Sequence, residues 1–199
     1  MEYQQNVNYN DIIPFEREIY NNRHRSMEFI RCIMEILHNA IDAQASHINI
    51  QIMADTENIP VKILIYNNGK EIKKNIIDKI LRDGYSTREK NENNVQGKFG
   101  VGAALACQNL SNKTTVTSKN EEEYYECVSD WIDMIQKNER QPYIRTPDYK
   151  NKELYQQFGN RGVLFTFEAL RQIVTKYTKQ ELEERNFPPT VIKEWISYL

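Results

Sequence analysis

Excess charge of either sign is missing from this sequence: 26 basic and 28 acidic side chains in 199 residues leave a net charge of −2. At the level of the whole chain, that excludes an electrostatic footprint for nucleic acid or an acidic membrane surface. Cysteine is scarce. Cys32, Cys107 and Cys127 are odd in number, far apart and set among apolar neighbours, so a disulfide framework is excluded and free thiols in a reducing compartment are expected. Histidine is equally thin, and His24, His38 and His47 form no metal-ligand spacing. No apolar run approaches membrane-spanning length. Residues 1–10 are polar and rich in tyrosine and asparagine, unlike a secretion signal. A soluble, cytoplasmic protein is the expectation.

What is present is the balance of a globular chain, 40% hydrophobic and 27% charged, of a length that suits one domain. The pattern is organised around a helix expected over 26–45, with Ser26 as its N-cap and Glu28 in its first turn. Apolar residues at Ile30, Ile33, Met34, Leu37 and Ile41 follow a helical period and predict the buried face. Glu35, Asn39 and Asp42 stand at i, i+4 and i+7, in one row on another face. A carboxylate, an amide and a second carboxylate in a row suit a Mg²⁺–nucleotide site, although any solvated helix carries such residues.

Two alternating stretches, 47–53 and 60–66, read as a hairpin, with Ile48, Ile50 and Ile52 on one face and Val61, Ile63 and Ile65 on the other strand's matching face. Continuing that alternation puts Asn67 on the same side, before the turn Asn67-Asn68-Gly69. Residues 72–81 are expected as a second amphipathic helix stopped by Gly84. Further strands are expected at 114–118, 124–131 and 162–167, a solvated turn at Glu121-Glu122-Glu123, a poorly patterned loop over 133–160, and a helix over 168–185 ending before Pro188-Pro189. Val191, Ile192, Trp195, Ile196 and Leu199 form a final apolar stripe.

Glycine is sparse as well, at seven residues, yet three of them fall in Gly97-Lys98-Phe99-Gly100-Val101-Gly102, just ahead of a helix start at Ala103-Ala104-Leu105. Glycines there let backbone N–H groups approach an anion beside the positive end of the helix dipole. The order is not that of a Rossmann fingerprint, and there is no Walker A lysine–hydroxyl pair. A dozen polar residues, 85–96, lead into it and read as a lid or a disordered loop.

Three signals thus occur in a fixed order: Glu-x-x-x-Asn-Ala-x-Asp-Ala on a helix, a strand ending in Asn-Asn-Gly, and a polar segment entering Gly-x-x-Gly-x-Gly. Over about residues 26–168 this resembles the GHKL superfamily of Bergerat-fold ATPases, in the branch of DNA gyrase B, MutL and the Hsp-ninety chaperones. Residues 35–43 resemble the N box, 67–72 the first glycine box and 97–102 the second. The resemblance implies an α+β, two-layer α/β sandwich, with a mixed, mostly antiparallel sheet covered by helices. It implies ATP and Mg²⁺ as cofactors. Glu35 would position or deprotonate the attacking water, and Asn39 would ligate Mg²⁺. Asp42, Ala43, Asn67 and Gly69 would line the pocket. Gly97, Gly100, Val101 and Gly102 would cradle the phosphates, with Lys98 and Phe99, and also Ser86 and Thr87, in the lid.

Three departures from the family pattern point to weaker nucleotide binding. Asn67 stands where the family has its adenine-reading aspartate, so charge assistance is lost and base selectivity is open to change. Glu71 replaces the second glycine of the first box, and Gly162-Val163 lacks the hydroxyl of the usual Gly-Thr. The expected function is Mg²⁺-dependent ATP binding and slow hydrolysis, with nucleotide-gated lid closure and association with a second copy or a protein partner. The alternatives are a non-hydrolysing, nucleotide-responsive interaction module or a histidine-kinase-like catalytic domain. The latter is argued against by the lack of a preceding phosphoacceptor helix. A domain that binds no nucleotide is a further reading. The expected organisation is an N-terminal arm (1–25), the ATPase domain (26–170) and a C-terminal helical extension (171–199). The arm or the extension would carry partner contacts, and nucleic acid would enter only through a partner or another domain. Either the chain is an excised ATPase domain, or a partner supplies a catalytic lysine.

Overall fold

Strand alternation and short turns fold the chain into one sheet. The computed structural model describes residues 27–57, 59–81, 102–120, 123–139, 141–159 and 161–171. The elements in order are α1 (Phe29–Asp42), β1 (Ile48–Ala54), β2 (Pro60–Asn67), α2 (Gly102–Leu110), β3 (Ser111–Lys119), β4 (Tyr124–Asp130), α3 (Trp131–Lys137), β5 (Tyr143–Arg145), α4 (Tyr149–Gln156) and β6 (Gly162–Leu170). The six strands run in the order β1-β2-β6-β3-β4-β5, and every pairing is antiparallel. Helices α1 and α2 cover one face, giving the expected α+β sandwich.

The hairpin β1–β2 forms as expected, with Ile50 opposite Ile65 and a bulge at Met53/Ala54. Beyond that bulge Val61 is exposed, whereas Ile63 and Ile65 are fully buried. The opposite face of β2 is also covered. Leu64 and Tyr66 pack with Leu164 and Tyr155 in a second apolar cluster, where Tyr155 meets both Tyr66 and Tyr124 edge-on. Tyr66 donates from its hydroxyl to the Arg161 carbonyl (2.6 Å). On the same far face Glu126 is fully buried. It accepts from the Arg145 guanidinium on β5 and from Thr117 (3.4 Å), its cross-strand neighbour.

Four expectations need correcting. First, α1 is shorter than 26–45, and its N-cap position falls on Glu28, which makes no side-chain cap; Ser26 lies outside the described residues. Its buried face is Cys32, Ile36, Leu37 and Ala40, whereas Ile30, Met34 and Ile41 are exposed. Relative to the expected stripe, the helix is turned by roughly 90° about its axis, at 100° per residue. Small residues allow it: Cys32 and Ala40 of α1 and Ala104, Ala106 and Cys107 of α2 are all buried, and small side chains let two helices approach closely.

Second, 72–81 is a run of turns, not a helix. Ile76 and Ile77 both donate to the Lys73 carbonyl, and Lys79 donates to Ile76. The first helical bond is lost because the Ile72 carbonyl accepts from the Ser118 hydroxyl (3.0 Å) and from Tyr125 instead. The Ile72 N–H also goes to Ser118 (2.9 Å). β-Branched isoleucines weaken any helical preference further. Ile77 and Leu81 still reach the core.

Third, β4 stops at Asp130, whose side chain caps α3 by accepting from the Asp133 N–H (3.2 Å). The stretch expected as loop, 133–160, carries most of α3 and all of β5 and α4. Fourth, 168–170 extend β6 and are not helical, with Glu168 paired to Lys62 across the sheet (2.7 Å). The arm, Gly84, the polar lid, residues 121–122, the rest of the 168–185 helix and the final stripe lie outside the described residues.

Candidate functional site

The turn of α1 brings the polar row to the flank of its buried face, beside α2, and not to the side opposite the core. Glu35 is half-buried there, with Asn39 and Asp42 exposed further along the row. A Cβ built on Gly102, the first residue of α2, would overlap Oε2 of Glu35 and lie 3.1 Å from its Cδ. Glycine is therefore what lets the carboxylate rest against the start of α2. That position is the positive end of the helix dipole.

At the far end of the row α1 closes with a Schellman motif. Ala45 N–H donates to Ala40 (3.0 Å) and Gln44 N–H to Ile41 (2.8 Å), with Gln44 at φ +60°. Next comes the turn after β2. Gly69 is buried so tightly that a Cβ would stand 2.8 Å from the Ala43 carbonyl oxygen and 3.0 Å from Asn67 Oδ1. Lys70 N–H donates to that same Ala43 carbonyl (2.8 Å). Asn67, at 3% exposure, accepts from the Gly69 N–H through Oδ1 (3.1 Å). Asn68 is fully committed: its Oδ1 accepts from the Ser46 and His47 N–H groups (3.0 and 2.9 Å), and its Nδ2 donates to the Ser46 hydroxyl (3.0 Å).

Opposite Asn67 on β6 is Val163, where the Gly-Thr hydroxyl would stand. Beside it Gly162 takes φ +115°, and a Cβ there would overlap the Asn67 carbonyl oxygen. Ser118 on β3 is opposite Val163 on its other side, but its hydroxyl is held by Ile72.

The structure thus gathers Glu35, Asn39, Asp42, Ala43, Asn67, Gly69 and Gly102 along one seam between α1, α2 and the end of β2. Gly97, Lys98, Phe99, Gly100, Val101, Ser86 and Thr87 lie outside the described residues. A family model matches the chain that carries this seam. That model is described as histidine kinase-, DNA gyrase B- and HSP90-like ATPase, and it covers residues 27–163. The chain belongs to this ATPase family. No curated individual protein matches it.

Family membership supports ATP as the ligand. Among the described residues no group of three or more His, Cys, Asp or Glu side chains could hold a metal ion. An amide oxygen such as that of Asn39 still fits Mg²⁺, which keeps several waters and takes most of its other ligands from phosphates. The three cysteines are free and buried, and burial, reinforced by Glu35, pushes the Cys32 thiol up to about 12. They are inert thiols.

Sequence reasoning missed three residues around this seam. Asn68 ties the turn to the chain after α1, and its place in an Asn-Asn-Gly turn was the available signal. Ser118 and Tyr125 fix the Ile72 backbone from across the sheet, and no local pattern announces contacts that span 46 and 53 residues.

Proposed function

We propose that this ATPase-family domain binds Mg²⁺–ATP in the seam between α1 and α2 and hydrolyses it slowly. The observation that carries the reading is the Glu35 carboxylate resting against Gly102 at the start of α2. A base there would stand beside the position where backbone N–H groups receive a γ-phosphate, so the attacking water and the phosphoryl group would be aligned by the same two elements. Glu35 orients or deprotonates that water. Asn39, one turn on, offers an amide oxygen to Mg²⁺, which when bound neutralises phosphate charge. Asp42 and Ala43 line the pocket, and Asn67 with Gly69 forms its base end. Lid closure through residues 85–102 and association with a second copy or partner complete the proposed cycle.

Glu35→Ala is expected to abolish turnover while ATP still raises the melting temperature, and Asn39→Ala is expected to weaken Mg²⁺–ATP binding. Full turnover in Glu35→Ala overturns the catalytic assignment. One observation favours a second reading, a nucleotide-responsive module without turnover. Asn67 lacks the charge of an aspartate and its carbonyl already serves Gly69, which weakens binding. Turnover of the purified protein, with and without candidate partners, separates the two.

A further inference from the structure

We propose that the outer edge of β1 is a homodimer seam, on which a second copy of this chain pairs strand to strand about a two-fold axis at Gln51. The inference names a surface for the second copy invoked above and does not depend on the nucleotide site.

The two edge strands of the sheet, β1 and β5, are built differently. β5 is three residues long, carries Arg145 and lies between Pro142 and Pro147. Short length, charge and proline are what blunt an edge. β1 has none of these devices. It runs for seven residues, Ile-Asn-Ile-Gln-Ile-Met-Ala, without charge, proline or glycine. The bulge near its end places the extra residue, Val61, on β2, so β1 itself stays regular. Among the described residues only β2 pairs with it. A long uncharged edge of this kind is a template for another strand.

The helix beside that edge is apolar on the same flank. At 100° per residue, the polar row of α1 and the stripe Ile30, Met34 and Ile41 lie about 120° to either side of the buried face. The polar row is next to α2, so the stripe is on the opposite flank, towards β1. Its three side chains are 49%, 39% and 52% exposed, and Ile48, Ile50 and Ile52 of β1 are only partly buried.

The residues of the edge select a second copy as the occupant. Antiparallel pairing of a strand with itself brings its charges close to their own copies, and like charges opposite one another repel. β1 has no charge to repel. With Gln51 on the axis all seven residues overlap, and Ile50 meets the second copy's Ile52 on the helix-covered face. Exposed His47 then falls opposite the second copy's exposed Asp55, twice per pair. An imidazole N–H and a carboxylate are complementary there whether the ring is neutral or charged. Pairing consumes β1 on both copies while β5 stays blunted, so association closes at two. A seven-residue seam is about 23 Å long, which suits a weak, reversible pair.

The test is sedimentation velocity of the full chain, without nucleotide, over a wide range of concentration. Wild type is expected to pass reversibly from monomer to dimer. Gln51→Lys sets two ammonium groups against each other on the axis and is expected to weaken the dimer about tenfold. Met34→Glu should weaken it through the stripe, and circular dichroism checks that both variants fold. Register is read by mild oxidation. Gln51→Cys lies beside its own copy and is expected to give a disulfide-linked dimer, whereas Asn49→Cys, four residues from its own copy along the seam, is not. The three native thiols are buried and stay out of the reaction. A monomer at every concentration, larger open-ended species, a dimer indifferent to Gln51→Lys, or equal cross-linking at 49 and 51 overturns the proposal. None of those results touches ATP binding or turnover, so the nucleotide reading is judged separately.

Discussion

The two ends of the seam are built by different physics. At the Glu35 end, position comes from packing: buried small residues on both α1 and α2, Cys32 and Ala40 on the first, with Gly102 leaving room for a carboxylate. At the Asn67 end, position comes from directed hydrogen bonds: Asn67 to Gly69, Asn68 to Ser46 and His47, Lys70 to Ala43. Packing tolerates small adjustments and leaves polar groups free for chemistry. A hydrogen-bonded turn is exact in its geometry, but it occupies the same polar groups a ligand would need. The Glu35 end therefore leaves polar groups available, whereas the Asn67 end keeps its shape and has already engaged many of its own.

The largest effect should come from breaking the base end. Gly162→Ala places a Cβ on the Asn67 carbonyl oxygen at φ +115°, where backbone cannot yield. A loss of about 3–5 kcal/mol is expected from strain and overpacking together, read by urea unfolding. At the phosphate end, Gly102→Ala displaces only the tip of a flexible side chain. Turnover is expected to fall about a hundredfold through misplacement of Glu35, while stability changes by less than about 1 kcal/mol. Equal damage to stability at both sites would erase the contrast between the two ends.

Alkaline pH sharpens the packing side. The Cys32 thiol titrates near 9.0 when unfolded and is pushed up to about 12 when folded. Above pH 9 the unfolded chain loses a proton that the folded chain keeps, so stability falls as pH rises towards 12. The slope is up to about 1.4 kcal/mol per pH unit for this thiol, and Cys32→Ala should flatten the limb by that amount in unfolding curves at pH 8–10.5. The smallest effect belongs to the joint between the ends. Gln44 holds a left-handed conformation at the Schellman position, so Gln44→Gly should gain about 0.5–1 kcal/mol in thermal unfolding with turnover unchanged.

The polar row on α1, the hairpin and the glycine that opens α2 were legible because each depends on local spacing. The orientation of α1 was not. A hydrophobic pattern weights Ile30, Met34 and Ile41 heavily and Cys32 and Ala40 lightly, yet close helix packing prefers the small ones. Residues 72–81 carry helical periodicity, and only the hydroxyls of Ser118 and Tyr125, remote in sequence, reveal why the first helical bond is diverted. The elements between 131 and 156 are short and polar, so their periodicity is weak. The arm and the lid, where the partner and gating roles were expected, fall outside the described residues.

β2 is paired on both edges and covered on both faces, with Ile63, Leu64, Ile65 and Tyr66 at 0–2% exposure. Its amides can exchange with solvent only when much of the domain opens. Asn67, at its end, thus belongs to the slowest-exchanging unit of the molecule. Any ligand that reaches this turn would meet a fixed surface and not one that reshapes around it.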